Sequence, residues 1–217
     1  MKKQIIITIA IIISFVGLLF LLVNRDLSSS PSAADTIHAT SAETGNIPEK
    51  IIGDPNTAKV ILYEYADYGC SHCADWNTEI NKLLEKYGND LALVYRGYNL
   101  GFQNGPAAAR AATAAQLQGY WKEYKDLLFA NQAEWAYTEA DKLEDLFVSY
   151  FNTASNGQGD AEQFRTDLAS SAVATKNAFE HRLGEMLKLS GTPLFRIDGK
   201  TIPLSNLIST IEQLLAE

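Results

Sequence analysis

The alternation of apolar and polar positions predicts a strand, a helix and a second strand early in the main part of the chain. Residues 59–65 are β-branched and aromatic and lie between turn residues, as is typical of a buried strand. Apolar residues then recur at helical spacing over residues 70–87, and residues 91–95 predict another strand. A β-α-β unit of this kind has parallel strands.

From residue 105 to about residue 188 the pattern is helical throughout. Thr138 is predicted to cap a helix that reaches Phe151, Asp160 with Gln163 resembles a capping box, and Gly184 is a weak point in the last helix. The remaining pattern predicts strands at 194–197 and 201–202, a turn between them, and a closing helix at about 205–216. The simplest architecture is a sheet that is interrupted by a helical insertion.

The first residues have a different pattern, which predicts a membrane segment. An uncharged apolar run at residues 5–23 follows Lys2 and Lys3 and is long enough to cross a bilayer. A cleaved signal sequence is the alternative, although its apolar core is normally shorter. The two lysines place the N-terminus in the cytoplasm and the rest of the chain outside. We therefore expect a single-pass cell-membrane protein with an extracytoplasmic domain.

Composition divides the chain further and limits its partners. Residues 1–26 form the expected anchor or signal sequence, residues 27–46 are rich in Ser, Ala and Thr and predict a flexible linker, and residues 47–217 predict one folded domain. The formal net charge is −8, so no basic surface for nucleic acid is expected.

The two cysteines of the chain, Cys70 and Cys73, have C-x-x-C spacing where the first strand meets the first helix. The unpaired N–H groups and dipole of a helix N-terminus stabilise a thiolate at Cys70. Cys73 lies one turn into the helix and is suited to form or resolve a disulfide with Cys70. His72 between them can stabilise the thiolate further, or it is an exposed residue of no consequence.

Two other interpretations of the cysteine pair are weaker. A structural disulfide is common outside the cell, but a bridge that closes so short a loop removes little chain entropy. A zinc site would need a second pair of ligands at suitable spacing, which the sequence lacks. We therefore expect a redox-active disulfide, with no metal and no organic cofactor.

Several motifs together resemble the DsbA-like branch of the thioredoxin superfamily, from about residue 51 to the C-terminus. Residues 60–73 are similar to the family's active-site segment, and residues 191–193 to its loop with a cis proline. Residues 106–112, 120–121 and 127–132 are similar to its helical insertion. The resemblance implies an α/β, thioredoxin-like fold with an inserted helical domain at about 105–188. The apolar run at residues 5–23 predicts that an N-terminal transmembrane helix precedes this fold.

The resemblance also implies roles for individual residues. Cys70 would be the nucleophile, Cys73 the resolving thiol, and Glu64 a buried carboxylate that relays protons; the alternative for Glu64 is a side chain that points to solvent. Thr192 and a cis Pro193 would bind an extended client chain, unless they form an ordinary turn. The chain departs from the best-known oxidases, which have proline in place of Ser71 and valine in place of Thr192.

The expected function is that of an oxidase that donates its disulfide to reduced or misoxidised client proteins. A membrane quinone-linked thiol oxidoreductase would then accept the electrons. A reductase or isomerase of the same fold remains an alternative, although isomerases usually add a dimerisation domain. A non-catalytic peptide-binding module with a structural disulfide is another.

Overall fold

A computed structural model describes Asp35 and residues 40–216, and five strands of this part form one sheet in the order β1-β3-β2-β4-β5. The strands are β1 (Lys50–Ile52), β2 (Val60–Ala66), β3 (Leu91–Gly97), β4 (Leu194–Ile197) and β5 (Lys200–Ile202). The helices are α1 (Ser71–Tyr87), α2 (Gly105–Leu117), α3 (Trp121–Ala130), the short α4 (Gln132–Trp135), α5 (Ala140–Ala154), α6 (Ala161–Ala169), α7 (Ser171–Met186) and α8 (Leu207–Ala216).

The sheet has the predicted β-α-β unit at its centre. Strand β2 pairs in parallel with β3 and antiparallel with β4, which sets Glu64 opposite Phe195. The antiparallel strand β1 at one edge is not predicted by the sequence, because its three residues begin with a charged lysine and are too few to show a period. Strand β1 forms because Lys50, Ile51 and Ile52 find partners on β3.

The two faces of the sheet are covered by different helices. Leu62 on β2 lies in a core cluster with α1 and α8, whereas Tyr63 and Tyr65 on the same strand contact α7. A third cluster combines the helical residues between β3 and α7 with Tyr68, Tyr95 and both Cys70 and Cys73. The cysteines therefore lie at the seam between the sheet and the helical insertion.

The prediction for the start of α5 is wrong. The helix begins at Ala140 with Glu139 at the N-cap position. Thr138 precedes the N-cap position and does not cap the helix; its hydroxyl donates a hydrogen bond to the backbone oxygen of Glu134 in the preceding turn. The helix begins one residue later than a Thr138 cap requires, so the Thr138 hydroxyl is left to bond within the preceding turn.

Two other helix signals are explained by packing. Asp160 caps α6 by accepting hydrogen bonds from the N–H groups of Glu162 and Gln163. Gly184 lies within α7, and a Cβ atom there would be 2.3 Å from the ring of Tyr98. The glycine thus allows close contact between α7 and the loop after β3.

Five buried charged side chains join β1, β3 and α7. Lys50 Nζ lies 2.7 Å from Glu180 Oε1, and Arg96 Nη2 lies 3.1 Å from Glu49 Oε1. Lys176 Nζ contacts both carboxylates, at 3.2 Å and 3.3 Å. All five side chains are at most 1 % exposed, so each charge depends on its partners for solvation.

The domain includes part of the segment that was predicted to be a flexible linker. Residues Ala42–Thr44 form a 3₁₀ turn in which Thr44 is buried. The buried Asp35 carboxylate accepts hydrogen bonds from Arg196 Nε at 2.9 Å and 3.0 Å. The predicted membrane segment lies outside the described residues, and no helix among the described residues is both long and apolar enough to span a bilayer.

Candidate active site

The two cysteines occupy different positions at the start of α1. Cys70 is the N-cap residue, with extended backbone angles (φ −85°, ψ 121°), and 6 % of it is exposed. Cys73 is in the first helical turn and is completely buried. Both are free thiols in this structure. A client molecule can therefore reach Cys70 more easily than Cys73.

The loop that leads to Cys70 is held by Asp67. This buried carboxylate accepts hydrogen bonds from the N–H groups of Gly69 (2.8 Å) and Leu100 (2.6 Å). The Gln132 side chain, at the start of α4, donates to the Tyr68 carbonyl. The helical insertion thus helps to position the first cysteine. Asp67 is not among the site residues predicted from the sequence, although an Asp two residues before a Gly is a turn signal.

The loop at residues 191–193 lies against the first cysteine. The Thr192–Pro193 peptide bond is cis, and the Cys70 thiol donates a hydrogen bond of 3.4 Å to the Thr192 carbonyl oxygen. Pairing of β2 with β4, which sets Tyr65 opposite Leu194, brings the loop to this position. The residues predicted to bind a client chain, Thr192 and Pro193, are therefore beside Cys70.

Burial makes the Cys73 thiol harder to ionise than a thiol at the surface. It raises the pKa of the Cys73 thiol well above its ordinary value, and the charges of Cys70 and Glu64 act in the same direction. Thr192 and the backbone of Asp67 offset this only in part. A proton must accordingly be supplied when Cys73 becomes a leaving group and removed when it attacks.

Glu64 is a buried carboxylate and not the solvent-facing side chain of the alternative interpretation. Only 2 % of it is exposed, and no described residue forms a hydrogen bond to its Oε1 atom. Burial raises the pKa of Glu64 from 4.5 to about 7, with Lys125 opposing the shift and Asp126 adding to it. A group that titrates near neutral pH can both accept and donate a proton.

His72 lies on the outside of the first turn of α1. Its side chain is 80 % exposed, and its Nδ1 atom is 3.9 Å from the equally exposed Asp75 carboxylate. The imidazole is thus in contact with solvent, and its predicted effect on the Cys70 thiolate stays a prediction.

A polar cluster between α1 and α3 was missed by the sequence analysis. Asp126 Oδ1 accepts hydrogen bonds from Asn77 Nδ2 (3.1 Å), Asn81 Nδ2 (2.9 Å) and Lys125 Nζ (3.0 Å). Lys125 Nζ also donates to Asn77 Oδ1. The signal in the sequence is the spacing of Cys73, Asn77 and Asn81, which places two amides on the helix face below the second cysteine.

A cavity of about 380 Å³ borders the residues that precede Cys70. Its wall includes Asp67, the mutually stacked Tyr98 and His181 rings, and Asn177 on α7. Arg96 is fully buried in the ion cluster, as expected of a structural residue, and His181 lines the cavity. Among the described residues, no group of three or more His, Cys, Asp and Glu side chains could hold a metal ion.

Solved structures with a similar fold are known from several bacteria. BdbD from Bacillus subtilis is 18 % identical, with a TM-score of 0.65 over 84 % of this chain and 98 % of that protein. Wolbachia pipientis alpha-DsbA1 is 22 % identical, with a TM-score of 0.62 over 81 % and 96 %. MdbA, a thiol-disulfide oxidoreductase from Corynebacterium diphtheriae, is 20 % identical, with a TM-score of 0.62 over 82 % and 93 %. At this identity the likeness establishes the fold.

Relatives by sequence include parts of much longer proteins. The Na⁺/H⁺ antiporter NhaA 1 of Mycobacterium sp. (strain KMS) is 32 % identical over 159 residues, which is 70 % of this chain but 24 % of the antiporter. The chain thus spans about a quarter of the length of these relatives. Residues 46–217 match the family model described as Thioredoxin. This chain therefore belongs to the thioredoxin family and has the fold of its DsbA-like thiol-disulfide oxidoreductases.

Proposed function

We propose that this chain is an extracytoplasmic thiol-disulfide oxidase that introduces disulfide bonds into secreted or surface proteins. One observation carries the proposal: Cys70 at the N-terminus of α1 lies 3.4 Å from the Thr192 carbonyl, while Cys73 is fully buried behind it. The helix terminus favours Cys70 as a thiolate leaving group and nucleophile. Gly191 and Thr192 are half-buried beside Cys70, and their backbone groups can pair with an extended client chain.

The reaction begins from the Cys70–Cys73 disulfide. A client thiolate attacks Cys70 Sγ, a mixed disulfide forms, and Cys73 leaves with the electron pair of the broken bond and takes a proton, which Glu64 can supply. A second client thiolate then attacks the client sulfur of the mixed disulfide and releases the Cys70 thiolate. Two electrons have passed from the client to the cysteine pair, and a membrane quinone-linked thiol oxidoreductase is the proposed acceptor that restores the disulfide.

The apolar run at residues 5–23 is the proposed anchor that holds the domain outside the cell membrane. Disulfides persist in that oxidising space, and newly exported clients and a membrane oxidant would both be present there.

The test is the equilibrium reduction potential of the full chain in detergent, followed in glutathione buffers by the fluorescence of Trp76, one turn beyond Cys73. The centre of the Trp76 ring lies 5.6 Å from the centre of the Phe195 ring, and Phe195 is close in sequence to the loop at residues 191–193. An oxidase poise of about −120 to −180 mV is expected. A reduction potential of about −270 mV would show that the protein is a reductase and that the oxidase proposal is wrong.

Two serine variants test whether the cysteines react with clients at all. Cys73→Ser should accumulate a mixed disulfide with a reduced client protein, because the resolving thiol is gone, and Cys70→Ser should not. Mass spectrometry of the trapped adduct identifies the bonded cysteine. If Cys70→Ser oxidises clients as fast as the unaltered chain, the cysteines are a structural pair and the proposal is wrong.

A further inference from the structure

The cavity of about 380 Å³ beside the residues that precede Cys70 has the size of a small-molecule site. It lies where the C-terminal ends of the parallel strands β2 and β3 meet α2 and α7, and ligands commonly bind at this edge of parallel strands. It opens to solvent where three residues of its wall are exposed, namely Gly101, Pro106 and Ala178. Neither cysteine lines the cavity, so the thiol chemistry does not explain it.

One end of the cavity carries a buried negative charge. The Asp67 side chain lines it, and Asp67 is only 3 % exposed. Its two oxygens accept one backbone N–H each, from Gly69 and Leu100, and no described lysine or arginine forms an ion pair with it. A carboxylate has about four lone-pair sites, so it can accept further hydrogen bonds. A Cβ atom at Gly105 would lie 3.1 Å from Asp67 Oδ1, so the glycine leaves room at this carboxylate.

The other end of the cavity carries a positive charge. Arg110 lines it and follows Gly105 by five residues on α2, which is about 7.5 Å along the helix axis. Its Nε and Nη2 atoms donate to two backbone oxygens at the end of α6. No carboxylate among the described residues forms an ion pair with this guanidinium group. The charges of Asp67 and Arg110 thus lie at different heights of one cavity, each without a charged partner.

Two polar atoms in the wall of the cavity are buried without a hydrogen bond to any described residue. They are Asn177 Nδ2 and His181 Nδ1, and both residues are on α7. Asn177 lies beside α2, because its Oδ1 atom accepts a hydrogen bond of 3.0 Å from the Thr113 hydroxyl. His181 lies one turn further along α7 and stacks on Tyr98, with ring centres 5.0 Å apart. A buried donor without an acceptor is unfavourable, so a ligand that supplies the acceptor is bound more tightly.

We propose that this cavity binds a small zwitterion of about the size of a dipeptide, with its ammonium group at Asp67 and its carboxylate at Arg110 and Asn177. Charge complementarity selects this class of ligand, because a simple cation or a simple anion would match only one end. The length agrees as well, since two extended residues span roughly 7 Å, whereas a single amino acid is too short to reach both charges. The inference does not depend on whether the cysteine pair acts as an oxidase or as a reductase.

The experiment titrates L-alanyl-L-alanine into the full chain in detergent and follows the side-chain ¹⁵N–¹H signals of asparagine. The Asn177 signal, identified by its loss in Asn177→Asp, should shift and reach saturation. Two modified dipeptides test the two charges separately: the C-terminal amide lacks the carboxylate, and the N-acetyl form lacks the ammonium group. Each should bind at least about tenfold more weakly, because each loses a charge-assisted hydrogen bond.

A variant of the cavity wall tests the position of the ligand carboxylate. Asn177→Asp keeps the size of the side chain but replaces the donor with a negative charge, so the dipeptide should bind at least about tenfold more weakly in calorimetry. Asn152→Asp makes the same change on the exposed surface of α5, outside the cavity, and should leave the affinity unchanged. Equal affinities of these two variants would overturn the placement of the carboxylate.

Hydrogen exchange reports on the other end of the ligand. The amides of Gly69 and Leu100 donate to Asp67, so a ligand that binds Asp67 only in the closed loop should protect both. At a dipeptide concentration ten times the Kd, their exchange should slow by about tenfold. Unchanged exchange in the filled site would show that the ammonium group does not bind Asp67.

The three dipeptides decide the question on the unaltered chain, even if Asn177→Asp fails to fold. Equal binding of all three would show that the charges of the cavity do not select the ligand. Absence of a saturable shift at about 10 mM dipeptide would also overturn the inference, because a site with a Kd of about 1 mM would then be mostly filled.

Discussion

Replacing Glu64 with glutamine should make the protein more stable at alkaline pH and change its stability little in acid. The buried carboxyl has a pKa of about 7, compared with 4.5 as the ordinary value of a glutamic acid. Between these two values the folded chain keeps a proton that the unfolded chain has lost. Folding therefore becomes less favourable as the pH rises through this window.

The size of the effect follows from the difference between the two pKa values. Each unit corresponds to about 1.4 kcal/mol, so the full difference is about 3.5 kcal/mol above the higher pKa. About 2.5 kcal/mol of this falls between about pH 5 and about pH 8.5. Glutamine has a similar shape and carries no charge, so Glu64→Gln should recover that amount over the same interval.

Urea unfolding of the dithiol form, with excess reductant at both pH values, measures the change. The quantity to compare is the free energy of unfolding of Glu64→Gln minus that of the unaltered chain, because other titrating groups cancel in the difference. Glu79→Gln removes a carboxylate that is 44 % exposed and serves as the control. It should show almost no pH-dependent difference.

One result would refute this reasoning. If Glu64→Gln changes the free energy of unfolding by the same amount at both pH values, the carboxyl ionises as readily in the folded chain as in the unfolded chain. Burial would then not control its protonation, and Glu64 could not serve as a proton relay near neutral pH.

Three further predictions concern other parts of the molecule. In the dithiol form, iodoacetamide at about pH 7 should modify Cys70 and spare Cys73, because burial raises the pKa of the Cys73 thiol. Equal labelling of the two cysteines in peptide mass spectrometry would contradict this prediction. Gly184→Ala should destabilise by about 1–3 kcal/mol in urea unfolding, because the new methyl group overlaps a tyrosine ring, although helix propensity alone predicts stabilisation. Glu180→Gln should destabilise the fold by about 3–5 kcal/mol, which is more than the loss expected for Lys50→Met. Glu180→Gln leaves three buried cations with one anion, whereas Lys50→Met leaves two cations with two anions. Equal losses of stability in thermal unfolding would show that charge balance does not control this cluster.

The sequence predicts those parts of the fold that depend on local signals. The β-branched run of β2, the helical period of α1 and the turn before β4 each act within a few residues, and their bounds in the structure are close to the predicted ones. Strand β1 has no such signal, because it is defined by pairing with β3. Thr138 likewise has the residue type of a cap, but the helix begins one residue too late for it to act as one, and the sequence does not show this shift.

The candidate site divides in the same way. Residues 70–73 and 191–193 could be selected from the sequence because their motifs are local, although only the sheet register brings them together. Lys125 could not be selected from the sequence, because its place in the polar cluster depends on α3 packing against α1 and on the burial of its charge. Burial also decided between the two interpretations of Glu64, and no pattern in the sequence distinguishes a buried strand carboxylate from one that faces solvent.

The contact between Asp35 and Arg196 has a mechanical consequence. Arg196 is on β4, the strand that directly follows the loop at residues 191–193. Asp35 is the first of the described residues, and a pull applied to Asp35 would load β4 through Arg196. The point where such a load enters the sheet is thus only three residues along the chain from Pro193.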